Sequence, residues 1–194
     1  MTLERVGTPT AADHRTTISF ARDDRLGFSV QRVSDLLQFR SRPPSLAVRG
    51  IVAGVVAAAA VLGLLIGMGR RAGTAWRPIN AAAHTVIGAQ ADGVWSFHES
   101  VTPVGGLVVL AMSVAAGFAV ARIASSVRTV HVMAAAAGVT LTSYLLHLHV
   151  AARTPGGLAA LLSVGELRAL YLTLGIALVA GMRFAFSGVR DASE

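Results

Sequence analysis

Four side chains of metal-ligating type lie at the edges of the long apolar runs of this sequence: His84, His98, Glu99 and His147. Imidazole together with carboxylate suits zinc or iron, so a small metal site is one chemistry on offer. Their spacing matches no known ligand signature. A haem b site needs two His facing each other across helices at similar depth. His131 opens the third apolar run, whereas His147 and His149 lie near its other end. His147 and His149 are two apart and point to different helix faces. The plainer reading is that these imidazoles form hydrogen bonds at helix contacts or at the membrane surface, and no cofactor is expected. There is no nucleophile elbow, HExxH, phosphate-binding Gly loop or dinucleotide fingerprint. There is also no Cys, which excludes disulfides, thiolate sites and Cys nucleophiles. The chain is therefore expected not to be an enzyme.

The elements that must position these residues are strongly apolar. The 194 residues are 54% hydrophobic and 14% charged, with a mean hydropathy of +0.62. A soluble domain carries roughly 25% charged residues, so this is no water-soluble globule. An all-α integral membrane four-helix bundle is expected, with a membrane domain over 46–187 and a short tail over 188–194. The spans fall at about 47–68, 104–121, 129–152 and 164–186, because about 20 apolar residues cross the hydrocarbon core. Ser163-x-x-Glu166 reads as a capping box for the fourth, and Gly156–Leu162 before it as a short turn. Arg168 and Arg183, near the ends of that span, are placed to reach headgroups. Between the first two spans, Pro78 suits a first helical turn. Ala81–Ile87 reads as a short helix lying at, or dipping into, the outer membrane face, ended by Gly88, with Asn80 and His84 on one face. Trp76 and Trp95 fit an aromatic belt.

Residues 1–45 form a polar tail. Within it, Leu26, Val30, Val33 and Leu37 share one face of an amphipathic helix at about 24–40, stopped by Pro43 and Pro44. This helix suits either a protein partner or the membrane surface. All 17 basic residues are Arg, and the net charge is +7. The Arg residues flank apolar runs, which points to anionic lipid headgroups as their partner and not to nucleic acid. Arg25, Arg32, Arg40, Arg42 and Arg49 are the candidate headgroup contacts. With four spans both termini share a side. Twelve Arg fall on that side and five on the other, so the positive-inside rule puts both termini in the cytoplasm and the chain in the cell inner membrane.

Helices in lipid associate through small residues. Gly50, Gly54 and Ala58 form one stripe of the first span, and Ala59, Gly63 and Gly67 another. Ser113, Gly117 and Ala121 mark the second span, and Ala134, Gly138 and Thr142 the third. Gly54, Gly63, Gly117 and Gly138 are thus expected at helix contacts, within the bundle first and between copies second.

The stretch RGIVAGVVAAAAV, the element WRPINAAAHTVIG and the Gly-led second span resemble a family of small bacterial four-helix membrane proteins of uncharacterised activity. The resemblance covers residues 49–125 and implies a fold without an activity. The family carries a His near the start of the second span. Val104–Leu110 has none, so any site built on that residue is absent from this chain.

No ionisable residue lies near the centre of a span, which counts against a proton-coupled transporter. The expected function is that of a non-enzymatic accessory or scaffolding subunit of a membrane assembly, with other membrane subunits or a second copy as partners. The alternatives are a minimal oligomeric transporter or channel, and a His-based metal or haem membrane protein.

Overall fold

The computed structural model describes residues 44–124, 128–149, 153 and 156–190, with side chains as far as 186. The amphipathic helix expected at 24–40, with Arg25, Arg32, Arg40 and Arg42, lies outside them. All regular elements among the described residues are helical. They are α1 (Leu46–Arg71), α2 (Arg77–Ala82), α3 (His84–Ile87), a 3-10 turn (Gly88–Ala91), α4 (Val101–Ile123), α5 (Thr129–His149), α6 (Gly157–Leu161) and α7 (Val164–Arg190). Helices α1, α4, α5 and α7 are each long and apolar enough to cross a membrane. By that length and composition the chain is a multi-pass four-helix membrane bundle.

Local chemistry sets the helix ends. The Ser45 hydroxyl accepts the Val48 N–H at 3.3 Å and caps α1, whose last turn carries Arg70 and Arg71 where a helix favours positive charge. The capping box of α7 forms. Ser163 N–H donates to Glu166 Oε2 at 2.9 Å, and Glu166 N–H donates to Ser163 Oγ at 3.3 Å. Helix α4 begins three residues earlier than the expected 104, because Pro103 occupies its first turn. The missing proline N–H has no intrahelical partner there to lose. Helix α5 ends its described part at His149, and residues 150–152 of the expected third span lie outside the described residues. Gly156–Leu162, expected as a turn, contains the short helix α6.

Helix α1 is the central member and packs along both α4 and α7. The approach to α4 is backbone to backbone. A Cβ on Gly54 would run into the Val114 Cα, and one on Gly117 into the Gly50 carbonyl oxygen. On the α7 side, a Cβ on Gly181 would lie 2.7 Å from the Ala53 Cα. Small residues let helices come this close, and close packing is what holds helices together in lipid. Gly63 and Gly138 do not share this role, because nothing lies within 4 Å of a Cβ built on either. A helix turns only one of its small-residue stripes toward a given neighbour, and here it is the Gly50–Gly54 stripe that faces α4.

Helix α5 packs mainly on α7 and only lightly on α4. Thr140 sits against Gly175 and returns its hydroxyl to the Ala136 carbonyl at 2.7 Å. Arg168 Nε donates to the Tyr144 hydroxyl at 3.3 Å, and Arg183 Nη2 donates to Thr129 Oγ1 at 3.0 Å. The two arginines expected to reach headgroups thus also tie α7 to α5 near each end.

Candidate functional site

Polar chemistry concentrates at the end of the bundle where α1 hands over to α2 and α5 to α6. The stretch expected as one short surface helix is two pieces, α2 and α3, broken at Ala83. Gly88, at φ +68°, ends the second as expected. Helix α2 does not lie on the surface. Pro78 to Ala82 are all buried, and α2 packs on α4, α1 and α6. Gly105 makes this seat possible, since a Cβ there would collide with the Ile79 carbonyl oxygen.

Asn80, fully buried, organises the cap. Its Nδ2 donates to the carbonyls of Val94 at 3.0 Å and Ser96 at 2.9 Å. Its Oδ1 accepts the Thr102 hydroxyl at 2.7 Å, and Thr102 Oγ1 in turn accepts the His98 N–H at 2.9 Å. Buried polar groups persist when they are satisfied in this way, so Asn80 pins an otherwise irregular connection to the top of α4. Outside it, the Arg77 guanidinium lies 3.7 Å from the Trp95 ring centroid, and Trp76 meets Phe97 edge-on at 5.3 Å.

A second cluster closes the connection onto α6. His84 Nδ1 and Asp92 Oδ2 are 2.9 Å apart, and Asp92 Oδ1 accepts the Gly157 N–H at 3.0 Å. Gly156 and Gly157 both have positive φ, +96° and +72°, the region that only glycine enters freely. A Cβ on Gly156 would strike Asp92 and His84. The adjacent glycines are the sequence signal for this turn, but nothing in the sequence pairs them with Asp92, 65 residues away.

Beneath this cap lies a cavity of about 370 Å³. Its walls are largely apolar, from Val61 and Leu65 on α1 through Val109 and Met112 on α4 to Leu170 and Leu174 on α7. At its capped end stand His84, Thr85, His147 and Tyr171. His147 Nδ1 and the Tyr171 hydroxyl are 3.0 Å apart, while His147 Nε2 is buried with no hydrogen-bond partner. A separate shallow groove of about 530 Å³ runs outside, between α1 and α4, floored by Ala58, Ala59 and Gly106.

The four candidate ligands are not gathered into one site. His84 pairs with Asp92, and His147 with Tyr171. His98 Nδ1 lies 3.0 Å from the Ser100 hydroxyl, and Glu99 is exposed. Among the described residues no group of three or more His, Asp or Glu could hold a metal ion. The physical reason is that the imidazoles are spent on separate pairwise contacts. Arg49, a candidate headgroup contact, has its guanidinium 5.4 Å from the centroid of Phe186 on α7.

Comparison with protein-family models, with curated proteins and with solved structures finds no match to this chain, so the reading of the site rests on its own geometry.

Proposed function

We propose that the protein is a non-enzymatic accessory or scaffolding subunit, which holds a transmembrane helix of another subunit in the outer groove between α1 and α4. The groove carries the reading. It is apolar, its floor is made of small residues, and Leu62, Pro103, Leu107 and Leu110 wall it. Along α1 it continues into Gly63 and Gly67, where no atom lies within 4 Å of a built Cβ. Small residues left open beside a groove are what a second helix needs for close approach in lipid. In this reading the chain sits in the inner membrane with both termini cytoplasmic, in keeping with the arginine bias of twelve against five. Its cytoplasmic arginines then face anionic headgroups.

A photo-crosslinking side chain placed at Leu107 tests the reading in intact membranes. The expected result is one adduct with a membrane protein of different mass, abolished by Gly63→Leu while the melting profile of the bundle stays unchanged. An adduct with lipid alone, or one indifferent to Gly63→Leu, overturns it. A clean adduct with a second copy of this chain replaces the accessory role with self-assembly.

A further inference from the structure

We propose that the cavity beneath the cap binds a single-chain neutral lipid whose head is a hydroxyl or carbonyl oxygen. The site is independent of the outer groove. Three observations carry it.

The first is size and shape. A volume of about 370 Å³ falls within the roughly 300–1,000 Å³ of small-molecule sites. The lining on α4 runs from Val108 to Ala116, a rise of eight residues. At about 1.5 Å per residue this is a length of about 12 Å, which suits a chain segment lying along the bundle.

The second is polarity. The hydrogen-bonding groups cluster at the capped end, where His84, Thr85, His147 and Tyr171 stand, and the deeper walls are apolar apart from Ser113 and Ser143. Among the described residues no Arg lines the cavity. The ionisable group His84 already faces Asp92 at 2.9 Å. A charged head would be desolvated there without a counter-charge, which is costly. A neutral oxygen is not penalised in this way. His147 supplies its partner, because Nδ1 is engaged with Tyr171 while Nε2 has none. A buried polar atom left unpaired is costly, and a ligand oxygen meeting the ring, after a small turn of the imidazole, relieves that cost.

The third is an entrance. Met112 on α4 and Leu146 on α5 both line the cavity, yet they are 68% and 59% exposed. Helices α4 and α5 touch only lightly. The wall between them therefore opens sideways, toward the acyl chains of the bilayer, and the tail of a lipid enters there without crossing the polar cap.

The test uses the full-length protein in nanodiscs and a long-chain primary alcohol carrying a diazirine in its tail. Labelled peptides are mapped by mass spectrometry. Saturable labelling concentrated on 108–116, 143–147 and 170–174 is expected. Ser143→Phe on α5 and Ala159→Phe on α6 fill the cavity from different walls, and each is expected to remove that labelling. His147→Leu is expected to raise the half-saturating concentration about five-fold, the worth of one hydrogen bond of about 1 kcal/mol. Labelling spread evenly over the outward-facing Leu107, Leu141 and Ile176 overturns the proposal. So does equal cavity labelling by a phosphocholine with the same tail, since selection for a neutral head would then be lost. If neither filling variant folds, the label map of the unaltered protein decides between these outcomes.

Discussion

Asn80 satisfies three partners with one side chain, two carbonyls and one hydroxyl. That makes its chemistry testable independently of its size. Asn80→Ala leaves two part-buried carbonyls without their donor and the buried Thr102 hydroxyl without its acceptor. At about 1–3 kcal/mol for a stranded group, and with partial relaxation, the bundle is expected to lose about 2–4 kcal/mol, read as a lower melting temperature in detergent. Asn80→Asp is nearly isosteric but cannot donate to either carbonyl, so it is expected to be no milder than Asn80→Ala. An Asp variant that melts like the parent would show that shape, and not hydrogen bonding, holds the cap. Thr102→Val removes both the bond to Asn80 Oδ1 and the one from the His98 N–H, leaves the two carbonyl contacts of Asn80 in place, and is expected to cost about 1–3 kcal/mol. Asn80 was legible as part of a short helical stretch led by Pro78, but not as a buried residue on a separate piece from His84. The sequence could not show what Asn80 bonds to. Val94, Ser96 and Thr102 lie 14, 16 and 22 residues on, and no periodicity links an amide to carbonyls in an irregular segment.

The four spans were readable because the hydrocarbon core imposes length and apolarity on any helix that crosses it. The capping box at Ser163 was readable because it is local. Small-residue stripes were only half readable. Spacing puts Gly54 and Gly63 on equivalent motifs, but which stripe meets a neighbour depends on how α1 is rotated, and that is set by α4 and α7 together. The two glycines should therefore respond in opposite ways. Gly54→Leu forces a side chain into the Val114 backbone and is expected to cost more than about 3 kcal/mol, as overpacking against an unyielding backbone does. Gly63→Leu projects into open space and is expected to change the stability by less than about 0.5 kcal/mol, read as an almost unchanged melting midpoint. Gly105→Ala tests the seat of α2. The added methyl meets the Ile79 carbonyl oxygen, so proteolysis within 76–100 is expected to rise before the spans themselves loosen. The metal reading drew on residue types alone. It did not survive as a cluster because pairing His84 with Asp92 and His147 with Tyr171 spends those imidazoles at two different helix junctions.

Across the whole molecule, the absence of Cys permits a clean single-cysteine map of sidedness. Gly93→Cys, exposed in the connection between α1 and α4, is expected to react with a membrane-impermeant maleimide in intact cells. Thr129→Cys, exposed at the start of α5, is expected to react only after permeabilisation. The reverse pattern would invert the orientation drawn from the arginines. The place of α1 has a consequence for biosynthesis. Of the four long helices α1 is made first and is the most apolar, with a mean hydropathy of 2.6, against 1.4 for Thr129–His149. One of its two large packing faces waits for α7, which is made last of the four. Until then Ala53 and its neighbours can only be covered by lipid. The weakly apolar α5 must in the same interval hold its place without the arginine ties that α7 brings. The bundle can thus pair α1 with α4 early but cannot finish closing until α7 arrives and completes the contacts of α1 and α5 together.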